Sequence, residues 1–181
     1  MSTKTLMTVA EFEQMETAET QDYELVDGEV VLLPSGTPIH AEIRDLVGHL
    51  LWTYFEGNPM GKAFGEIDCR LSDDTVRRPD VSIFLGAERL KQIDKEKIPV
   101  PFAPDIAVEV LSASEIAVDV RRKVLDCLRA GSQEVWLLDH ANGEILVHTS
   151  HGIRVLQAAD VLESPLLPGF SVPVTDLVVN V

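Results

Sequence analysis

Residues 104–112, PDIAVEVLS, read together with residues 77–85, RRPDVSIFL, decide how this chain folds. Each holds a β-branched, apolar run long enough for a strand, and each run carries one carboxylate. Asp80 stands just ahead of VSIFL, and Glu109 lies inside IAVEVL. The nearly all-apolar run over 105–111 suits a central strand covered on both faces. Alternation then puts Ala107, Glu109 and Leu111 on one face. An ionised carboxylate in such a strand is costly unless something pairs with it, and a metal ion is one of the few adequate partners. A helix follows, opened by a capping box at Ser112 and Glu115 and closed by Gly131. At about 100° per residue, Lys123 lies within roughly 60° of Ile116, Val120 and Cys127, so it borders the apolar stripe of that helix. Two acids from adjacent strands and one amine from the next helix form a candidate site for a cation and a phosphate.

Upstream, Thr8 and Glu11 form a capping box for a short helix over 9–16. The run YELVDGEVVLLP predicts a hairpin, because Asp27-Gly28 suits a type I′ turn with φ > 0 at both central residues. Residues 34–38 are a loop. Ile43, Leu46, Val47, Leu50, Leu51, Tyr54 and Phe55 recur at helical spacing, predicting an amphipathic helix over 40–55. Strands are expected over 63–71 and 79–85, then a loop with one helical turn near 88–92. Downstream, EVWLLD (134–139) reads as a strand, Asn142-Gly143 as a hairpin turn into EILVHT, and IRVLQ as a third strand. The apolar, Pro-punctuated tail is expected to pack on the core. The fold class is α/β in the mixed α+β sense: a central mixed sheet flanked by helices, with added β-hairpins, in one domain over 1–181.

Composition narrows the function. A length of 181 residues is enough for a full core, and no apolar run reaches membrane-spanning length. The N-terminus lacks a secretory apolar region, so a cytoplasmic protein is expected. Cys69 and Cys127 make neither a disulfide framework nor a metal spacing, and the histidines show no zinc pattern. No Gly-rich phosphate loop is present, and Ser112 lacks the partners of a catalytic triad. The net charge of -15 opposes a simple DNA-binding surface. The charge is uneven, however: residues 70–123 hold ten of the fifteen basic residues. Arg77, Arg78, Arg121 and Arg122 are the candidates for nucleic-acid contact within that segment.

The chemistry that fits two carboxylates and a lysine is phosphodiester hydrolysis with a divalent cation. Mg²⁺, or Mn²⁺, takes one or two carboxylates plus waters. Asp80 and Glu109 are the candidate ligands, with the backbone carbonyl of Val110 as a third. Lys123 would reach the scissile phosphate or orient the attacking water. Glu24 in the hairpin, Glu42 in the long helix and His40 at its start are weaker candidates.

YELVDGEVV, His40 opening a helix, RPDVSIF, PDIAVEVLS, the lysine in RRKVLDCLRAG, EVWLLD and SPLLPGFSVPV recur in this order in the Uma-two endonuclease family, which the chain resembles over about residues 8–178. That family belongs to the PD-(D/E)XK, restriction-endonuclease-like superfamily. The resemblance implies a restriction-endonuclease-like core, Mg²⁺ dependence, cleavage of DNA and a homodimer. By position it makes Asp80 the motif aspartate and Glu109 the motif acid. The superfamily lysine stands two residues after the acid; here that residue is Leu111, so Lys123 on the following helix supplies the amine. Ala113 replaces a proline frequent in the family. Two other readings stay open: a non-catalytic nucleic-acid-binding or assembly protein of this fold, and a phosphodiesterase for small or modified nucleotides.

Overall fold

The computed structural model describes residues 6–15, 21–112 and 116–179. Among these, a six-stranded sheet runs in the order β10-β9-β8-β7-β6-β3, and a smaller four-stranded sheet in the order β2-β1-β5-β4. The small sheet comprises β1 (Tyr23–Val26), β2 (Glu29–Leu32), β4 (Cys69–Arg70) and β5 (Val76–Arg77). The large one comprises β3 (Gly61–Gly65), β6 (Val81–Leu85), β7 (Ile106–Val110), β8 (Glu134–Asp139), β9 (Glu144–Thr149) and β10 (Gly152–Leu156). The β7–β8 pair is parallel and the other pairings are antiparallel, so the sheet is mixed, as the sequence pattern predicts.

The helices are α1 (Val9–Phe12), α2 (Pro38–Gly57), α3 (Ala87–Leu90) and α4 (Ala117–Arg129). Thr37 caps α2 by accepting the His40 N–H, and Pro38 occupies the first helical turn, where a missing N–H costs nothing. The apolar stripe of α2 buries Ile43, Val47, Leu51 and Phe55 against one face of the large sheet. Burying each such side chain is worth about 1.5–3 kcal/mol relative to exposure. The opposite sheet face packs Ala107, Val135 and Leu137 against Val124 and Cys127 of α4. β7, with helices on both sides, is buried along its whole length.

Strand β3 ends at Gly65, earlier than the expected strand over 63–71, and β4 is a separate short strand in the other sheet. Glu66, with φ at 46°, turns the chain between them. The Asp27-Gly28 turn has φ of 48° and 76°, as the hairpin requires. The Ser112–Glu115 box falls partly outside the described residues, and α4 opens at Ala117 with Ile116 as its cap residue. The tail packs as expected. A hairpin of β11 (Val161–Glu163) and β12 (Ser171–Pro173), followed by a π-helical turn at Thr175–Val179, contributes Leu162, Val172 and Leu177 to the main core.

Cys69 and Cys127 are free and fully buried. Burial pushes the Cys69 thiol up to about 12 and raises the Cys127 thiol as well. Neither is therefore expected to react with Ellman's reagent in the native protein at pH 8, and both should react once it is unfolded. No helix among the described residues is long and apolar enough to cross a membrane.

Candidate active site

Antiparallel pairing places Val81 opposite Val108, which sets Asp80 at the end of β6 beside Glu109 of β7. The backbone fixes this arrangement: Asp80 Oδ2 accepts the Val110 N–H at 2.7 Å. The same oxygen lies 3.2 Å from His40 Nε2 in the first turn of α2. Lys123 comes across from α4, and its Nζ donates to Glu109 Oε2 at 2.7 Å. These residues line a cleft of about 240 Å³ with Arg44, Arg78 and the loop 33–37. The N-terminal end of α2 also opens into it through Thr37, His40 and Ala41.

Glu24 stands behind Lys123 rather than in the cleft. Its Oε1 accepts the Arg78 N–H at 2.8 Å and lies 3.5 Å from Lys123 Nζ. Its Oε2 takes Arg77 Nη1 at 2.8 Å. Glu24 is a brace that orients the lysine. Burial works against its charge, but Lys123, Arg77 and the Arg78 N–H outweigh it, and the carboxyl lies below its ordinary range.

Lys123 is enclosed. Burial alone would lower its pKa, yet Glu109, Glu24 and Asp80 together raise it, so the ammonium stays charged. Glu109 goes the other way. Its burial raises the pKa well above the usual range; Asp80 and Glu24 add to the rise, and Lys123 opposes it. Asp80 and Glu109 share Lys123 as the nearest ammonium, while Glu24 also has Arg77. Glu109 Oε1 is also buried with no hydrogen-bond partner. A divalent cation between Asp80 and Glu109 would satisfy that oxygen and favour the ionised form of Glu109, so the residues fit such an ion. Among the described residues no three His, Cys, Asp or Glu side chains form a metal-holding group. The donor set is two carboxylates, with backbone and water to complete it.

The expected nucleic-acid contacts fare unequally. Arg77 is a correction: it is buried, and its guanidinium spans Glu24 and Asp126, at 2.6 Å from Asp126 Oδ2. It joins β1 and β5 to α4 and is not among the residues that line the cleft. Arg78 lines the cleft but is held by Asp68 at 2.7 Å and also pairs with Asp22. Arg122 is partly exposed and pairs with Asp27 of the hairpin turn. Arg121 is exposed and lines an apolar groove between α4 and β8–β10, not the cleft. Glu42 is exposed on α2 and is likewise not among the cleft residues. The structure adds Arg44 to the cleft. It follows His40 by one helical turn, lines the cleft, and is held at 2.7 Å by Glu66. The i, i+4 spacing from His40 was the available signal.

Comparison with known proteins gives a consistent picture. Residues 9–175 match the Uma2 family model, described as "Putative restriction endonuclease". A crystal structure from Anabaena variabilis, of "a putative nuclease belonging to DUF820", superposes with a TM-score of 0.83 at 23% identity. The match covers 94% of this chain and 97% of that one, and at this identity it is a likeness of fold. No curated protein matches the chain significantly.

Proposed function

The chain belongs to the Uma2 family of restriction-endonuclease-like proteins, and on that premise we propose that it is a divalent-metal-dependent endonuclease hydrolysing DNA phosphodiester bonds. The observation that carries the reading is the convergence of Asp80, Glu109 and Lys123 on one cleft, with Glu109 Oε1 buried and unsatisfied. Asp80 and Glu109 would hold Mg²⁺ or Mn²⁺, with the Val110 carbonyl as a further donor. A cation bound there would neutralise phosphoryl charge and acidify a water.

The chain's own groups supply the remainder. The Val110 N–H and His40 fix Asp80 Oδ2, which leaves Oδ1 for a ligand. Lys123 carries a permanent charge next to Glu109, where it can stabilise the charge that builds on the phosphoryl oxygens. Glu24 holds that amine in place. The N-terminus of α2, with its positive dipole end, adds favourable potential for an anion in the cleft. A homodimer belongs to this reading, since cutting both strands of a duplex takes two such clefts.

Supercoiled plasmid incubated with Mn²⁺ should be nicked by the wild type, and EDTA should stop the reaction. Asp80→Asn should nick on the order of 100-fold more slowly. Equal inactivity of wild type and variant would favour a non-catalytic binding or assembly protein. One observation supports the third reading, a phosphodiesterase for small nucleotides: the cleft is only about 240 Å³. Its arginines are moreover already paired with acids. Hydrolysis of bis-p-nitrophenyl phosphate without plasmid nicking would select that reading.

A further inference from the structure

Glu134 is a second carboxylate buried in an apolar strand, and it lies on the other side of the sheet. In β8, Glu134 and Trp136 alternate with Val135 and Leu137; Trp136 faces the α2 core, while Val135 and Leu137 face α4. Glu109 shares the α4 face with Ala107. Glu134 therefore cannot serve the cleft, and it stands at the start of β8, opposite Ile106.

Its partners set it apart. The other buried glutamates and aspartates among the described residues each have a basic side chain within reach. Glu24 has Arg77, Asp68 has Arg78, Asp80 has His40, Asp105 has Arg89 and Glu109 has Lys123. Glu134, at 5% exposure, has instead the neutral indole N–H of Trp136, at 2.7 Å from its Oε2. A buried acid without a cation is costly. Glu134 lines a cavity of about 700 Å³ between β8–β10 and the β11–β12 hairpin. The walls include Val147, Leu167 and Phe170, and Thr149 and Arg154 also line it. Among the described residues no ion pair joins Arg154 to Glu134; the Arg154 Nη2 donates instead to the Glu163 carbonyl at 2.7 Å.

We propose that this cavity is a binding site for an organic cation on an alkyl stem, an ammonium or guanidinium group that pairs with Glu134 while Val147, Leu167 and Phe170 enclose the methylenes. The charge-assisted hydrogen bond would complete the coordination of Glu134 that the indole begins. The volume falls in the range of small-ligand sites. The cation could arrive as a free alkylamine or alkylguanidine, or as a lysine or arginine side chain of another protein. The site is independent of the endonuclease reading and stands if that reading fails.

The test follows the indole N–H resonances by ¹H–¹⁵N NMR. Trp136 reports on Glu134, and Trp52, whose Nε1 donates to the Ala63 carbonyl, is the internal control. Titration with butylammonium and butylguanidinium should shift Trp136 saturably and leave Trp52 in place. The neutral isostere n-butanol should give no saturable shift. Glu134→Gln, which keeps an acceptor for the indole, should weaken cation binding at least ten-fold. Tripeptides with a central lysine or arginine identify the source: tighter binding than the free cations indicates a protein side chain, and weaker binding a free ligand. The proposal is overturned if no cation shifts Trp136 saturably, if n-butanol binds as well, or if Glu134→Gln binds undiminished. The comparison of butylammonium with n-butanol needs only the unaltered protein, so it decides the matter even if the variant does not fold.

Discussion

Glu109→Gln is expected to reduce Mn²⁺-supported plasmid nicking by on the order of 100-fold or more, with the fold intact. Glutamine has nearly the same volume and can still accept from Lys123, so the packing between β7 and α4 survives. What it lacks is the negative charge that would hold a cation beside Asp80. Stability should not fall with activity. The folded protein already disfavours the charge on Glu109, since burial, Asp80 and Glu24 all raise its pKa. Removing that charge from the metal-free protein therefore removes an unfavourable element. The pairing of outcomes is diagnostic: nicking collapses, while the thermal midpoint in EDTA stays level or rises. A loss of activity that tracked a loss of folded protein would mean that Glu109 is structural.

Arg77→Met should have the largest effect on stability, about 3–5 kcal/mol, or a midpoint lowered by roughly 10 °C or more for a chain of this size. The side chain is buried, and its loss takes the closest cation from two acids at once, Glu24 at 2.8 Å and Asp126 at 2.6 Å. It would also loosen the small sheet from α4, because Arg77 is the bolt between them. Adding Asp126→Asn should recover part of the loss by removing the charge that, among the described residues, Arg77 alone had paired. The pH dependence follows from the depressed Glu24 carboxyl. A carboxyl lowered on folding contributes stability above its unfolded pKa, and that contribution disappears as the pH falls through the folded value. Wild-type stability should thus decline on acidification below the ordinary carboxylate range. The decline should be shallower in Arg77→Met, where Glu24 keeps Lys123 but loses its closest cation. Urea unfolding at several pH values measures both effects.

The meeting of Asp80, Glu109 and Lys123 in one cleft was legible because each violates its surroundings: two acids break apolar strands, and a lysine borders an apolar helix stripe. Period and turn chemistry likewise exposed α2, the Asp27-Gly28 hairpin and β7. What the sequence concealed were pairings between distant segments. Arg77 and Arg78 are adjacent in sequence and basic, which suggests an exposed rim, yet strand alternation turns them opposite ways. Arg77 points into the Glu24–Asp126 pair, while Arg78 reaches the cleft wall. Nothing local distinguishes them. Glu66 was equally hidden, because a non-glycine residue at φ 46° leaves no trace in composition. Its turn is what ends β3 early and brings a carboxylate to Arg44. Glu134 was readable by the argument applied to Glu109, but a tryptophan two residues on conceals it within an ordinary strand pattern.

The most direct test of the metal site is anomalous diffraction, at the manganese edge, from crystals soaked in Mn²⁺. A single strong peak within about 2.5 Å of carboxylate oxygens of both Asp80 and Glu109 is the predicted result. A cleft that stays empty at saturating Mn²⁺, with Glu109 still bound to Lys123 alone, would contradict the account, as would manganese held elsewhere on the chain.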